Sequence, residues 1–320
     1  MSTSISVGKA TVADFLRTGI SEQFIIPEFQ RTYDWKEDQI RTLFEDIWNF
    51  TVEEGGPDRE NATYFLGCIV SYKDNVEETD SNGEKTKRTV QMIIDGQQRL
   101  TSLFLLLRAI YTKLCQSSDQ SDLIVSNYKR QIEGSIWKLN KHTAEVIFDH
   151  PLLVSKAISE KKNEVLHDIL CKGVAEDDDN NYSKNYKLFI KIYEERSQDD
   201  PLLIYNFLYA LLRQTIILPI TADSQDTALT IFSTLNDRGL PLTDADIFKA
   251  NIYKHLEGES AKHEFIEAWK ALNDKTADAG ETLVNLFTYY MFYLRAKDED
   301  SNSSTVSRPA QLLLQEKQTT

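Results

Sequence analysis

The run Thr89-Val-Gln-Met-Ile-Ile-Asp95-Gly96-Gln97-Gln98-Arg99-Leu-Thr101-Ser-Leu-Phe-Leu-Leu-Leu107 passes from a β-branched segment into a leucine-rich one through a single Asp-Gly step. A buried strand therefore turns sharply into a helix at Gly96, and any fold built around that junction mixes strand and helix. A helix start presents N–H groups without intrahelical acceptors and the positive end of the peptide dipole, so an anion such as phosphate docks there where a glycine lets it approach. Arg99 adds a forked cationic donor in the first turn, and Asp95 at the strand end can hold a metal ion or orient water. A structural reading competes: Asp-Gly is a common turn dipeptide, Asp95 can cap the helix, and Arg99 can pair with it. Gln97 and Gln98, adjacent at the start of an apolar helix that needs neither for packing, tilt the balance toward a site.

Around this junction, 320 residues suffice for two domains or one large domain with an appendage. No apolar run reaches membrane-spanning length, because Leu100–Ile110 is interrupted by Arg108 and flanked by Arg99 and Lys113. The first residues lack the apolar core of a signal peptide, which places the chain in the cytoplasm. Cys68, Cys115 and Cys171 lie far apart beside apolar sequence and read as reduced, packed thiols. The histidines show no metal-binding spacing, so a zinc site is not expected. A formal net charge of −14 argues against DNA binding by the whole surface. Lys85, Lys87 and Arg88 form the best local basic patch, but Glu77, Glu78, Asp80 and Glu84 share its loop.

Along the chain, Thr11 opens a short helix ending at Gly19, and Phe24-Ile25-Ile26 forms a strand stopped by Pro27. The loop Pro27–Trp35 is rich in large residues. Ile40, Leu43, Phe44, Ile47 and Trp48 then mark one face of a helix over about Lys36–Phe50. Tyr64–Tyr72 and Thr89–Ile94 read as strands of a long hairpin whose loop carries Asn82-Gly83. From about Leu123 helical patterns dominate, with Tyr186, Phe189, Ile190 and Tyr193 on one helix face and an apolar stretch over 201–213. Ile216–Ile220 is a β-branched run suited to rejoin the first sheet. Glu176–Asp179 lacks the ligand alternation of an EF-hand and reads as a solvated loop. The expected division is 1–122, a small α/β unit; 123–300, mainly helical; and 301–320, a polar tail.

A further polar group lies in Phe232-Ser-Thr-Leu235-Asn236-Asp-Arg238-Gly239-Leu-Pro-Leu242-Thr243-Asp-Ala-Asp246-Ile-Phe-Lys249. A capped helix–loop–helix explains Gly239, Leu240, Leu242 and the capping-box spacing of Thr243 with Asp246. It leaves Asn236, Arg238 and Lys249 unaccounted for, and these can reach a shared anion.

Together the three segments, Pro27-x-Phe-Gln-Arg31-x-Tyr33-x-Trp35, Ile94-Asp-Gly-Gln-Gln-Arg-Leu-Thr101 and Phe232-x-x-Leu-Asn236-x-Arg238-Gly, resemble the N-terminal domain of GmrSD-type, modification-dependent restriction enzymes. The resemblance covers roughly residues 11–255. It implies an α+β fold, a ParB-like or sulfiredoxin-like unit with a large helical extension, in bacterial defence against phage DNA. It further implies a domain that binds and hydrolyses nucleoside triphosphate, senses modified DNA, and gates a His-Asn-His nuclease. No such nuclease is recognisable here, so a separate subunit or domain would supply it. Carried over, Asp95 binds Mg²⁺ or orients the attacking water, and Gly96 and the following amides cradle phosphate. Gln97 and Gln98 bond the triphosphate or water, and Arg99 neutralises charge on the phosphoryl group. Arg31, Tyr33 and Thr101 join the nucleotide site from one side, and Asn236, Arg238 and Lys249 close it from the other. Tyr33 and Trp35 are candidates to stack on a base, packing being the stronger reading for Trp35.

No Walker loop supports nucleotide binding independently. No cysteine stands in the Asp95–Arg99 turn, so sulfiredoxin chemistry does not follow from a shared fold. Two other functions compete: a nuclease using Asp95 as metal ligand, for which one carboxylate makes a two-metal site hard to build, and a non-catalytic nucleotide-binding adaptor. Self-association is left open by the sequence.

Overall fold

The Asp95-Gly96 step joins two elements of opposite character, an eleven-residue strand and a twenty-residue helix. The structure is a computed structural model describing residues 4–79, 85–117, 122–140, 142–157, 160–176, 179–200, 202–236 and 244–297. The chain begins with β1 (Ile5–Val7), β2 (Ala10–Thr11), α1 (Val12–Thr18), β3 (Phe24–Ile26) and α2 (Glu37–Glu53). The hairpin strands β4 (Tyr64–Thr79) and β5 (Lys85–Asp95) then lead into α3 (Gln97–Gln116). Next come α4 (Leu123–Ile136), the short strands β6 (Trp137–Leu139), β7 (Val146–Pro151) and β8 (Leu153–Ser155), α5 (Glu160–Lys172) and α6 (Asn181–Asp199). After α7 (Leu203–Tyr209) a π-helical turn at Ala210–Gln214 feeds β9 (Thr215–Ala222). The described chain closes with α8 (Gln225–Asn236), α9 (Asp244–His255), α10 (Glu259–Asp278) and α11 (Leu283–Lys297).

The fold is α+β. Its main sheet runs β1-β9-β4-β5-β3-β8, with β2 also beside β9. The β4–β5 pair is antiparallel, β9 runs parallel to β4, and β3 runs parallel to both β5 and β8. Ile216–Ile220 thus returns to the first sheet, while β6 and β7 form a separate hairpin.

The chain divides into two units, 1–27 with 32–228, and 28–31 with 229–320. In the first, α3 is the core element. Leu100, Leu103, Phe104, Leu105, Leu106, Leu107, Ala109 and Ile110 are all 0% exposed, so the helix is apolar around its full circumference in this stretch. Each such leucine contributes on the order of 1.5–3 kcal/mol, and truncating one to alanine costs about 2–5 kcal/mol. In the second unit, Phe248, Phe265, Trp269 and Phe287 of α9–α11 form a chain of ring contacts at 5.2–5.6 Å.

The first unit runs on to Ala228, because β9 carries the intervening helices back to the first sheet. Within the mainly helical region expected over 123–300, β6–β8 lie between Trp137 and Ser155. One expectation is revised. Cys115, expected to be packed, is exposed in the last turn of α3, while all three cysteines are free thiols as expected.

Candidate functional site

Gly96 is the N-cap of α3 and adopts a left-handed conformation, φ +82°. The first intrahelical bond runs from the Leu100 N–H to the Gly96 carbonyl at 2.8 Å, and no side chain caps the helix start. The N–H groups of Gln97, Gln98 and Arg99 thus have no intrahelical acceptor, at the positive end of a twenty-residue dipole. Gln97 stands at this position only 6% exposed. Asp95 lies half-buried at the end of β5, opposite Val70 of β4.

A Cβ at Gly96 would fall 2.9 Å from Ile69 Cγ1 and 3.0 Å from the Cys68 carbonyl, so the missing side chain makes room for β4 on that side of the turn.

Arg99 extends from the first turn across β4 and donates from Nη1 to the Cys68 carbonyl at 3.1 Å. Gly67, at φ +129°, opens the space: a Cβ would stand 2.8 Å from Nη1 and 2.9 Å from Cζ of Arg99. No carboxylate pairs with this guanidinium among the described residues, so most of its N–H donors are unused. Burial raises the Cys68 thiol pKa, and the positive charge of Arg99 partly opposes that shift. Burial likewise raises the Tyr64 hydroxyl, with Asp46 adding to the rise and Arg99 opposing it.

Gln98 and Tyr33 serve the architecture. Gln98 Oε1 accepts from the Asp34 N–H at 2.8 Å and the Trp35 N–H at 3.2 Å, while Nε2 donates to the Thr32 carbonyl at 3.1 Å. Both lone pairs of its carbonyl oxygen are thereby used, so Gln98 bolts the 32–35 loop to α3 and has little left for a triphosphate. The Tyr33 ring, 6% exposed, stacks on Tyr182 with centroids 4.8 Å apart. It is packed inside and not offered to a base, a correction to the stacking expectation. Its hydroxyl lies 2.7 Å from Ser102 Oγ and accepts from Asn185 Nδ2 at 3.0 Å, and burial raises its pKa well above the usual phenol range. Trp35 is partly buried against the core, and Thr101 is 1% exposed inside the packing of α3, out of reach of a ligand.

The remaining expected residues belong to the second unit. Arg31 is exposed there, beside the segment in which Phe29 meets the Tyr253 ring at 5.5 Å and Tyr253 Oη donates to Glu28 at 3.2 Å. Lys249 of α9 is 3% exposed. Asn236 ends α8, the backbone of Asp246 lies in α9, and Arg238 and Thr243 fall outside the described residues.

Gln97 and Arg99, with Asp95 before them, are therefore the groups that the first unit gathers at one helix start. Among the described residues no group of three or more His, Cys, Asp or Glu side chains could hold a metal ion. One carboxylate still fits Mg²⁺, which keeps several waters and binds through one or two carboxylates together with a substrate's phosphates. Sequence reasoning missed Gly67, Ser102 and Asn185. A glycine inside a strand was the available signal for Gly67; Ser102 and Asn185 carried none.

A strand–turn–helix junction on a mixed sheet, with a helical unit after it in sequence, defines an α+β protein. The chain belongs to the GmrSD restriction endonuclease N-terminal domain family, whose model matches residues 12–253. It is also similar to an uncharacterized protein of Methanocaldococcus jannaschii, MJ0686, at 24% identity over 296 residues. That alignment covers 87% of this chain and 47% of MJ0686, so the chain spans about half the length of its curated relative.

Proposed function

We propose that this chain is the nucleoside-triphosphate-binding and hydrolysing sensor of a restriction system, acting on phage DNA in the cytoplasm and gating a nuclease carried by another domain or subunit. The observation that carries the reading is the start of α3, where a left-handed Gly96 leaves the first turn without a side-chain cap and the guanidinium of Arg99 stands in that same turn. Family membership supplies the restriction context. An open ring of N–H donors, a helix dipole and a guanidinium without a carboxylate partner together suit a polyanion.

Asp95 would supply the protein carboxylate for Mg²⁺, which would contribute positive charge to offset that of the phosphates. The first-turn N–H groups of α3 bind the phosphates. Gln97 holds a water or a phosphate oxygen through its side-chain amide, and Arg99 stabilises charge on the transferring group as water adds to phosphorus and the bridging P–O bond breaks. Direct DNA cleavage is less well supported, because a two-metal site needs several carboxylates and no such cluster exists among the described residues.

The test is phosphate release from ATP, GTP, CTP and UTP with Mg²⁺, with and without DNA, for wild type and for folded Asp95→Ala, Gln97→Leu and Arg99→Ala variants. Turnover lost in all three establishes the reading and names the base. Thermal stabilisation by nucleotide that needs Arg99 but brings no turnover makes the chain a non-catalytic adaptor; no response at all sinks both.

A further inference from the structure

A closed circuit of buried polar groups ties the 32–35 loop, α3 and α6 together. Asn185 Nδ2 on α6 donates to Tyr33 Oη at 3.0 Å and to the Trp35 carbonyl at 2.7 Å. Ser102 Oγ, 2.7 Å from Tyr33 Oη, donates to the Gln98 carbonyl at 2.9 Å, which makes Tyr33 the donor to Ser102. The Gln98 side chain closes the ring by gripping Thr32, Asp34 and Trp35. Every bond in the chain Asn185–Tyr33–Ser102–Gln98 thus points the same way, from α6 to the first turn of α3, an arrangement in which each bond polarises the next.

The four side chains are 0–6% exposed. Apolar residues of similar shape would fill this space at little cost in stability, since removing both partners of a buried hydrogen bond is close to neutral. A directed circuit does something that apolar packing does not: it admits one geometry. That geometry ends on Gln98, the second residue of the helix start whose neighbours Gln97 and Arg99 face the proposed ligand.

We infer that the circuit is a latch through which α6 positions the first turn of α3 for its ligand, with Asn185 as the positioning residue. This rests on the reading of that turn as a triphosphate site. Binding at the first turn and order in the 32–35 loop are then coupled, so ligand slows exchange of the Asp34 and Trp35 amides, and loosening the latch weakens binding without touching a ligand contact.

The experiment compares Asn185→Leu with Phe189→Leu, a core change on the same helix that leaves the circuit intact. Melting temperature, dissociation constants for Mg²⁺ complexes of ATP, GTP, CTP and UTP, and amide hydrogen exchange are measured on the whole chain. Asn185→Leu is expected to raise the dissociation constant at least about tenfold and to speed exchange at Asp34, Trp35, Leu100 and Thr101 together. Phe189→Leu is expected to lower the melting temperature without either effect. Equal weakening in the two variants, or unchanged affinity in Asn185→Leu, overturns the latch. If no nucleotide binds wild type, the functional reading fails on its own. Exchange then decides the latch: joint acceleration in the loop and at Leu100 and Thr101 upholds it, and acceleration confined to the loop overturns it.

Discussion

Gly67 shows how much one missing methyl group can carry. Its φ of +129° is a conformation that side chains rarely adopt, and the Arg99 guanidinium occupies the volume a Cβ would need. Gly67→Ala is expected to cost about 1–3 kcal/mol in urea denaturation and to weaken triphosphate binding by dislodging Arg99; a variant as stable as wild type would refute the conformational argument. The thiols allow a second check. Burial pushes Cys171 up to about 11, whereas Cys115 is exposed. At pH 8 only about 0.1% of Cys171 is thiolate, so iodoacetamide should label Cys115 first, and Cys171 labelling should quicken as pH rises toward 11. Mass spectrometry of a labelling time course reads this order directly. At this scale the sequence made the polar character of the Asp95–Arg99 turn plain but not the division of labour within it. Gln97 and Gln98 look alike as letters; what separates them is Asp34 and Trp35, 64 and 63 residues from Gln98. Likewise, Tyr33 is claimed by a partner 152 residues away in Asn185, which no local pattern reveals.

Elements were legible in proportion to their length. α3 and α2 carry enough turns for their apolar spacing to be unmistakable, and the β4–β5 hairpin announces itself by β-branched runs on either side of Asn82-Gly83. β6 and β8 have three residues each, too few for a period of two to register, and β7 exposes Phe148, Asp149 and His150 in succession. β8 exists because β3 offers it an edge: Phe24 pairs with Leu153 and Ile26 with Ser155. The apolar stretch before β9 was readable as helix, but not its last turn, where Thr215 Oγ1 donates to the Ala210 carbonyl at 3.0 Å and the helix widens to a π turn. The start of α6 tests an element's dependence on its cap. Asn180, 5% exposed, accepts from the Tyr182 N–H at 2.9 Å through Oδ1. Asn180→Ala should therefore cost about 1 kcal/mol, measured as a lower urea midpoint at unchanged slope. Because α6 also carries Asn185, hydrogen exchange at Asp34 and Trp35 should rise in the same variant.

At the scale of the molecule, charge decides how DNA can be met. With 36 Lys and Arg against 50 Asp and Glu, the net charge of −14 repels a polyanion from most directions. Acidic residues share the first sheet with its cations: in the β4–β5 hairpin Glu77 stands opposite Lys87 in register, and Lys73 bridges to Glu22 at 2.5 Å. A protein that grips duplex DNA by its backbone releases one counterion for each phosphate neutralised, and its affinity falls steeply with salt. This chain has 14 more acidic than basic side chains, so its cations work against an opposing net field. Alone, it should bind unmodified duplex DNA more weakly than about 10 μM at physiological salt, with a log–log salt slope shallower than about −4. Fluorescence anisotropy with a labelled duplex across a salt series measures both quantities. Nanomolar affinity with a slope near −8 would reveal a basic track that the charge distribution does not show. Weak, salt-insensitive binding that sharpens when a base or backbone is chemically modified would instead mean that recognition lies in contacts to the modification and not in a non-specific grip on the backbone.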